Sequence, residues 1–340
     1  MSMRIEVFDP LNGSPELWEA YFAVTEEIRE EIIPGEPNLP REKRKLALRS
    51  EASELYYRNI HFLAFAEGGE AAGYARLIAE TPASPSYEGN KHLATIGVLV
   101  AKAHRRKGLA SALFTRALSK GRELSPALSE VRSHATLNSG CLFLEKLGAK
   151  LSLESAENRL QLGKVNWEMV GAWAGEGERK NPGTKVVTAF TIPEEDIADF
   201  GRAYAEICDQ EPVGGLKLRN EFPPEKIRAA ERKLAERGMT ELTMYSKEAD
   251  GRVSGLTEIF YQEETGHKVS QGLTGVRLAY RGRGLGKLLK ARMLLHVRKN
   301  YPGVKYIATG NADCNAPMLA INRRLGFSRH LSVKVYSLEL

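Results

Sequence analysis

The sequence predicts an α/β (α+β) protein made of two successive copies of one unit, each a mixed, mostly antiparallel sheet with helices on both faces. Three observations lead there. A basic, glycine-bearing loop occurs twice, as Arg105-Arg106-Lys107-Gly108-Leu109-Ala110 and as Arg281-Gly282-Arg283-Gly284-Leu285-Gly286. The arginines that open the two loops stand 176 residues apart, about half of the 340-residue chain; repetition on that scale sets the architecture before any local reading. Each loop follows an apolar, strand-like run and precedes an apolar-periodic, helix-like one.

Taken in order, Arg4 to Phe8 is a strand. Pro15 to Ile33 places Trp18, Tyr21, Phe22, Val24 and Ile28 at near-helical spacing, Pro34 to Pro40 is a proline-rich loop, and Arg41 to Tyr57 is a charged amphipathic helix. His61 to Glu67 and Ala71 to Ala79 are strands joined at Gly68-Gly69 as a hairpin. His92 to Val100 enters the first loop and Leu109 to Leu118 leaves it. A strand at Glu130 to Ala135, a helix at Ser139 to Leu147 and a strand at Arg159 to Val165 complete the half. Residues 173–184, rich in Gly, Glu, Lys, Asn and Pro, read as a linker between a domain at 1–172 and one at 185–340.

The second half repeats the order. A strand at Lys185 to Thr191 and helices at Glu194 to Cys208 and Pro224 to Arg237 lead to strands at Glu241 to Ser246, Val253 to Tyr261 and Lys268 to Ala279. The second loop and its helix, Leu285 to Val297, follow. A strand (Val304 to Ala308), a helix (Pro317 to Leu325) and a strand (Leu331 to Leu338) close the chain. Each half therefore reads β-α-α-β-β-β-α-β-α-β.

Glycines at a strand-to-helix turn let backbone approach a ligand and aim N–H groups outward. The first helical turn adds unpaired N–H groups and the positive end of its dipole. Together they make an anion cradle suited to a pyrophosphate. It is not a P-loop, because Gly286-Lys287 is followed by Leu288, and not a dinucleotide turn, because Leu289 stands where a third glycine is needed.

Composition narrows the classes further. No apolar run approaches the ~20 residues of a membrane span, and the first residues, MSMRIEVFDP, lack the apolar region of a secretion signal. Three scattered cysteines form no metal-ligand or redox pattern, which points to a cytoplasmic protein without a metal. The net charge of +6 suits an anionic ligand. Basic residues are dispersed among acidic ones without interleaved aromatics, which argues against nucleic acid as partner.

The Arg-x-x-Gly-x-Gly/Ala loop between strand and helix resembles the acyl-CoA pyrophosphate loop of the GNAT superfamily of N-acyltransferases, and the element order of each half is similar to that fold. The resemblance covers nearly the whole chain, twice. It implies acetyl-CoA as co-substrate and a small-molecule or protein amine as acceptor. It places Arg281, Gly282, Arg283, Gly284, Leu285, Gly286 and Lys287 at the pyrophosphate, with Arg105, Gly108 and Ala110 matching them in the first half. Backbone around Gly275, Val276 and Arg277, and Val100 in the first half, would line the pantetheine arm. Asn315, eleven residues before Gly326, would bond that arm or cap a helix, for which asparagine also suits. Asn322 stands at the family's usual tyrosine; its amide cannot act as a general acid but can donate a hydrogen bond to the sulfur.

In the first half Asn138 to Gly148 spans ten residues and Leu144 takes the tyrosine position. That half reads as a degenerate copy, and the second as the catalytic one. Glu258, in an apolar strand beside the loop strand, is the candidate base, since a carboxylate in a partly buried cleft can have its pKa raised toward use; the bland alternative is a solvent-facing or salt-bridged strand residue. Arg76 occupies its place in the first half. Gln271 and Thr274 are candidates for positioning substrate, and the acceptor pocket is expected along Glu211 to Phe222. A CoA-binding scaffold without catalysis remains the rival reading.

Overall fold

The computed structural model describes residues 4–340. Its elements are β1 (Arg4–Phe8), α1 (Pro15–Ile32), α2 (Arg41–Ala52), β2 (Tyr57–Phe65), β3 (Ala71–Glu80), a single turn α3 (Tyr87–Asn90), β4 (Leu93–Val100), α4 (Leu109–Leu124), β5 (Glu130–Ala135), α5 (Asn138–Lys146) and β6 (Lys150–Gln161). The chain continues through α6 (Trp167–Lys180), β7 (Lys185–Ala189), α7 (Glu194–Cys208), α8 (Pro224–Glu236), β8 (Thr240–Lys247), β9 (Val253–Tyr261), β10 (Lys268–Val276), α9 (Leu285–Asn300), β11 (Tyr306–Ala312), α10 (Ala316–Leu325) and β12 (Ser328–Glu339). Among the described residues no helix is long and apolar enough to cross a membrane.

Two compact units result. One holds the chain up to Leu153 together with Val333–Leu340; the other is Glu154–Ser332. In the first, the strand order is β1-β2-β3-β4-β5-β12. Every neighbour is antiparallel except β4 and β5. In the second the order is β7-β8-β9-β10-β11-β6, antiparallel except for β10 and β11.

The division differs from the expected one in two ways. The closing strands are exchanged. β6 pairs with β11, from Gln161↔Tyr306 to Ser155↔Ala312, and β12 pairs with β5, from Lys334↔Ala135 to Glu339↔Glu130. Side-chain alternation fixes which face of a strand is buried, but does not name its partner. The expected linker is also mostly helix. Val170, Trp173, Ala174 and Gly177 of α6 are buried, and α6 packs on α9. One of the glycines that suggested a flexible segment permits this contact: a Cβ on Gly177 would lie 2.7 Å from the Cβ of Leu288.

Each sheet buries both faces. In the first unit, α4 covers Phe62, Leu77 and Ile96 with Leu113 and Phe114, while α1 covers Leu63, Phe65 and Tyr74 with Trp18, Tyr21 and Phe22. In the second, α9 brings Leu289, Leu294 and Val297 onto Leu242, Ile259 and Val269, and α7 brings Ile197, Phe200 and Ile207 onto Tyr245 and Leu256.

The parallel pairs are short, and this makes room for the site. β4 and β5 pair only over Leu93–Thr95, and β10 and β11 only over Lys268–Gln271. Beyond those residues the two strands of each pair part.

Candidate active site

Both loops sit where the paired strands have parted. Gly282 and Gly284 have φ of 81° and 82°, and Gly108 has 83°, a region where side chains are disfavoured. Arg106, at the place of Gly282, adopts φ 63° and is the one non-glycine residue with positive φ among the described residues. A Cβ on Gly108, Gly282 or Gly284 would meet nothing within 4 Å, so the space above each loop is open. No acceptor in the described chain takes the N–H of Gly282, Arg283, Gly284, Leu285, Gly286 or Lys287, nor of Arg106 through Ser111. Each loop thus presents an array of unused N–H donors, the geometry that an anion cradle needs.

Each loop is fastened to the helix near the start of its half, and in the same way. Glu27 of α1 accepts from the N–H of Lys102 at 2.7 Å, and Glu206 of α7 accepts from the N–H of Leu278 at 3.0 Å. One helical turn on, Glu31 holds Arg105, whose Nη1 donates to Oε1 at 2.9 Å, and Gln210 holds Arg281. Both arginines fold back onto the strand before the loop, Arg105 to the Val100 carbonyl (3.0 Å) and Arg281 to the Val276 carbonyl (3.4 Å).

The roles expected of the basic side chains therefore change. Arg281 and Arg105 brace the loop. Arg283 donates to Asn181 (2.9 Å), Thr184 (2.7 Å) and Glu248 (3.0 Å). Lys287 lies over the Trp173 ring. Leu285 buries its side chain in the core, so its N–H is what it presents. At Gly286 a Cβ would make only ordinary contacts, the nearest at 3.8 Å, which explains why Ala110 serves at the same place.

Of the three residues expected to line the arm, the backbone of one faces the gap. Arg277 donates its N–H to Ser254 at 2.9 Å. Antiparallel alternation then points Gly275 at β9 as well and turns the N–H of Val276 to the other side, where β11 no longer runs. Ala101 donates to Ala72 at 3.0 Å in the first half, and the same alternation turns Val100 into its own gap.

Glu258 is 4% exposed, so the solvent-facing alternative does not hold. Between the pairs Gln271↔Ile259 and Thr274↔Thr257, β10 sets two residues, Gly272 and Leu273, against the single Glu258. This is a β-bulge. It aims the Leu273 N–H at Glu258 Oε1 (2.9 Å), and Tyr204 of α7 donates its hydroxyl to the same oxygen at 3.2 Å. Gly272 is required by the carboxylate itself, since a Cβ there would fall 2.5 Å from Glu258 Oε1. Burial, then the neighbouring Glu241, push the Glu258 carboxyl up to about 8, against the pull of the Leu273 amide and the Tyr204 hydroxyl. Glu241 is itself raised to about 7 by burial, Glu211 is raised by burial, and the Cys208 thiol is pushed up to about 12.

Other expected residues are engaged within the fold. Gln271 Nε2 donates to Thr257 Oγ1 (3.2 Å), Gln271 Oε1 accepts from Lys290 Nζ (2.7 Å), and the hydroxyls of Thr257 and Thr274 are 2.7 Å apart. Both are tied on the α9 side of the sheet, opposite Glu258, so direct contact with an acceptor is not where their polar atoms point. Asn315 caps α10, accepting from Met318 N–H at 3.4 Å. Asn322 is buried and donates to Asn311 at 2.8 Å, while its own Oδ1 lacks a partner. Tyr204 and Lys290 went unnoticed in the sequence. Lys290 did leave a signal: it falls at helical spacing with Leu294 and Val297, on the apolar face of α9.

Two hollows accompany these groups. In the first unit a cleft of about 320 Å³ runs between the parted strands, lined by Val98, Val100, Arg106, Ala110, Ala135 and Gly140 among others. In the second a cavity of about 540 Å³ is lined from Cys208 to Glu221, within the stretch expected to receive an acceptor.

Residues 18–148 match the profile of the Acetyltransferase (GNAT) family, so the half read as degenerate is the half the profile recognises. No curated protein matches the chain. Among solved structures, a tandem GNAT protein from the clavulanic acid biosynthesis pathway superposes with a TM-score of 0.74 at 19% identity, covering 99% of this chain and 98% of that one. A GCN5-related N-acetyltransferase from Sphaerobacter thermophilus gives 0.64 at 17% identity, covering 99% and 95%. N-myristoyltransferase of Saccharomyces cerevisiae, solved with myristoyl-CoA, gives 0.57 at 12% identity, covering 99% and 80%. The chain thus carries an acetyltransferase (GNAT) family domain at residues 18–148 and the tandem GNAT fold over its length.

Proposed function

We propose that this chain transfers an acetyl group from acetyl-CoA to a primary amine by direct attack within a ternary complex, and that the chemistry belongs to the second half. The observation that carries the reading is Glu258: a buried carboxylate with its pKa near neutrality, presented by a bulge where the loop strand parts from its neighbour. A base with such a pKa is poised to take a proton from an ammonium or amine near physiological pH.

The residues present fit the co-substrate. The open space over Gly282 and Gly284 and the unused N–H groups around them suit a pyrophosphate. The inward N–H of Val276 and the uncommitted amide nitrogen of Asn315 suit an amide-bearing arm. Bound there, the thioester supplies an activated acyl group. Glu258 holds and accepts the proton of the incoming amine, Tyr204 orients that carboxylate, and the cavity lined by Cys208–Glu221 admits the amine. Asn322 offers no ionisable proton, so the leaving thiolate takes its proton from water.

The first half supports co-substrate binding without the chemistry. Its cleft and cradle are formed, but Arg76 stands at the place of Glu258, paired with Glu51 at 2.7 Å. A thiol-release assay over a panel of amines, with calorimetry of CoA binding, tests the proposal. Turnover abolished by Glu258→Gln with CoA still bound supports it. Turnover that survives Glu258→Gln and fails on a first-half cradle variant would transfer the chemistry to the first half. The three free thiols fit a reducing, cytoplasmic setting.

A further inference from the structure

Lys290 is 1% exposed, and a lysine so buried carries a large desolvation cost that holds its pKa down at about 7. Its ammonium makes one hydrogen bond, to Gln271 Oε1, and lies 5.3 Å from the Phe327 ring centroid. Gln271 is the last residue of β10 that pairs with β11, and the first of the two that flank the bulge. Its other amide atom, Nε2, donates to Thr257 Oγ1, and Thr257 is bonded to Thr274, the residue that closes the bulge.

A single hydroxyl thus gathers both shoulders of the bulge. The orientation of the gathering amide is set by Lys290, whose Nζ donates to the carbonyl oxygen of Gln271 and so leaves Nε2 to Thr257. The chain of bonds runs on one side of the sheet, while Leu273 and Glu258 meet on the other.

We propose that Lys290 is a positioning residue: acting through Gln271 and Thr257, it fixes the bulge that delivers the Leu273 amide to Glu258. The proposal rests on Glu258 as base for its kinetic consequence, but its structural content stands alone. It explains why a buried cation is kept where a leucine would pack. Replacing buried charged and polar partners together by apolar groups of similar volume is commonly neutral or stabilising. The residue therefore earns its place by geometry.

The test is the full-length double variant Lys290→Met/Gln271→Met, with Thr257→Val as a second route to the same break. The primary readout is hydrogen exchange of the Leu273 amide relative to the amides of β9. Exchange should quicken about tenfold or more, with CoA affinity within about twofold of wild type. In turnover, kcat should fall about tenfold or more, as expected when a reacting group is misplaced by a fraction of an ångström. The pKa read from the rate profile should rise, because the amide that lowers it is withdrawn. Unchanged Leu273 exchange in a folded variant overturns the proposal. A Glu258→Gln enzyme with wild-type kcat would instead overturn the base assignment, leaving the exchange result to decide the role of Lys290.

Discussion

In the first half, Arg76 lies opposite Gly97 in an unbroken ladder, and its guanidinium is held by Asn59 and Glu51. In the second, Glu258 lies opposite two residues rather than one, and a backbone amide and a tyrosine hydroxyl close on its carboxylate. The loops beside them are braced alike, down to the pairs Glu27/Glu31 and Glu206/Gln210. On the proposed reading the comparison separates two properties. Gripping an anion would rest on backbone geometry, which is kept in both halves despite wide changes of side chain. Moving a proton would rest on one carboxylate and on the extra residue that aims an amide at it.

The largest expected effect breaks the difference outright. Glu258→Gln should lower kcat by about 10²–10⁴-fold, the range associated with losing a general base, and leave CoA affinity within about twofold by calorimetry. Next, Gly284→Glu and Gly108→Glu should each weaken CoA at their own loop by about 100-fold. Each brings a negative charge into the cradle and a side chain onto a positive φ, which costs roughly 1–2 kcal/mol. Binding stoichiometry should fall from two to one in each variant. A stoichiometry of one in the wild type would restrict the grip to a single half.

The pH dependence sharpens the comparison further. Glu258 is raised to about 8 in the folded chain, above an unfolded value of 4.5. The stability tied to its protonated form is complete below the unfolded value and is lost as pH rises through about 8. Glu241, raised to about 7, acts in the same direction. The wild-type Tm should therefore decline between pH 4.5 and about pH 8, the window set by the unfolded and folded values, and decline less in Glu258→Gln. Activity should run the other way, climbing as Glu258 ionises. The smallest effect is in the first half: Arg106→Gly relieves a side chain at φ 63° and should stabilise by up to about 1 kcal/mol, read as a small rise in Tm.

Much of this was legible in the residues. The repeat, the strand order around each loop and the capping place of Asn315 follow from spacing and local chemistry. So does the unusual setting of Glu258, a carboxylate in an apolar strand. What stayed hidden depends on partners far along the chain. Nothing in Gly177 says that it faces another helix rather than solvent. Leu331 to Leu338 alternates as a strand should, and that alternation is silent about β5. The bulge needs two strands to be compared in register, so Gly272 looks like any strand glycine until Glu258 is seen behind it. Arg281 and Arg283 mislead for a related reason: a loop basic enough to attract a phosphate also needs arginines to hold its own shape.

The exchange of closing strands carries a consequence for biosynthesis. The first unit lacks the strand beside β5 until Val333–Leu340 has been made, so the amino-terminal half leaves the ribosome with β5 unpaired on one side and can finish folding only once that late segment has emerged. Cutting the gene between the repeats would yield neither half intact, and a nonsense codon just before Val333 would damage the portion of the protein synthesised earliest.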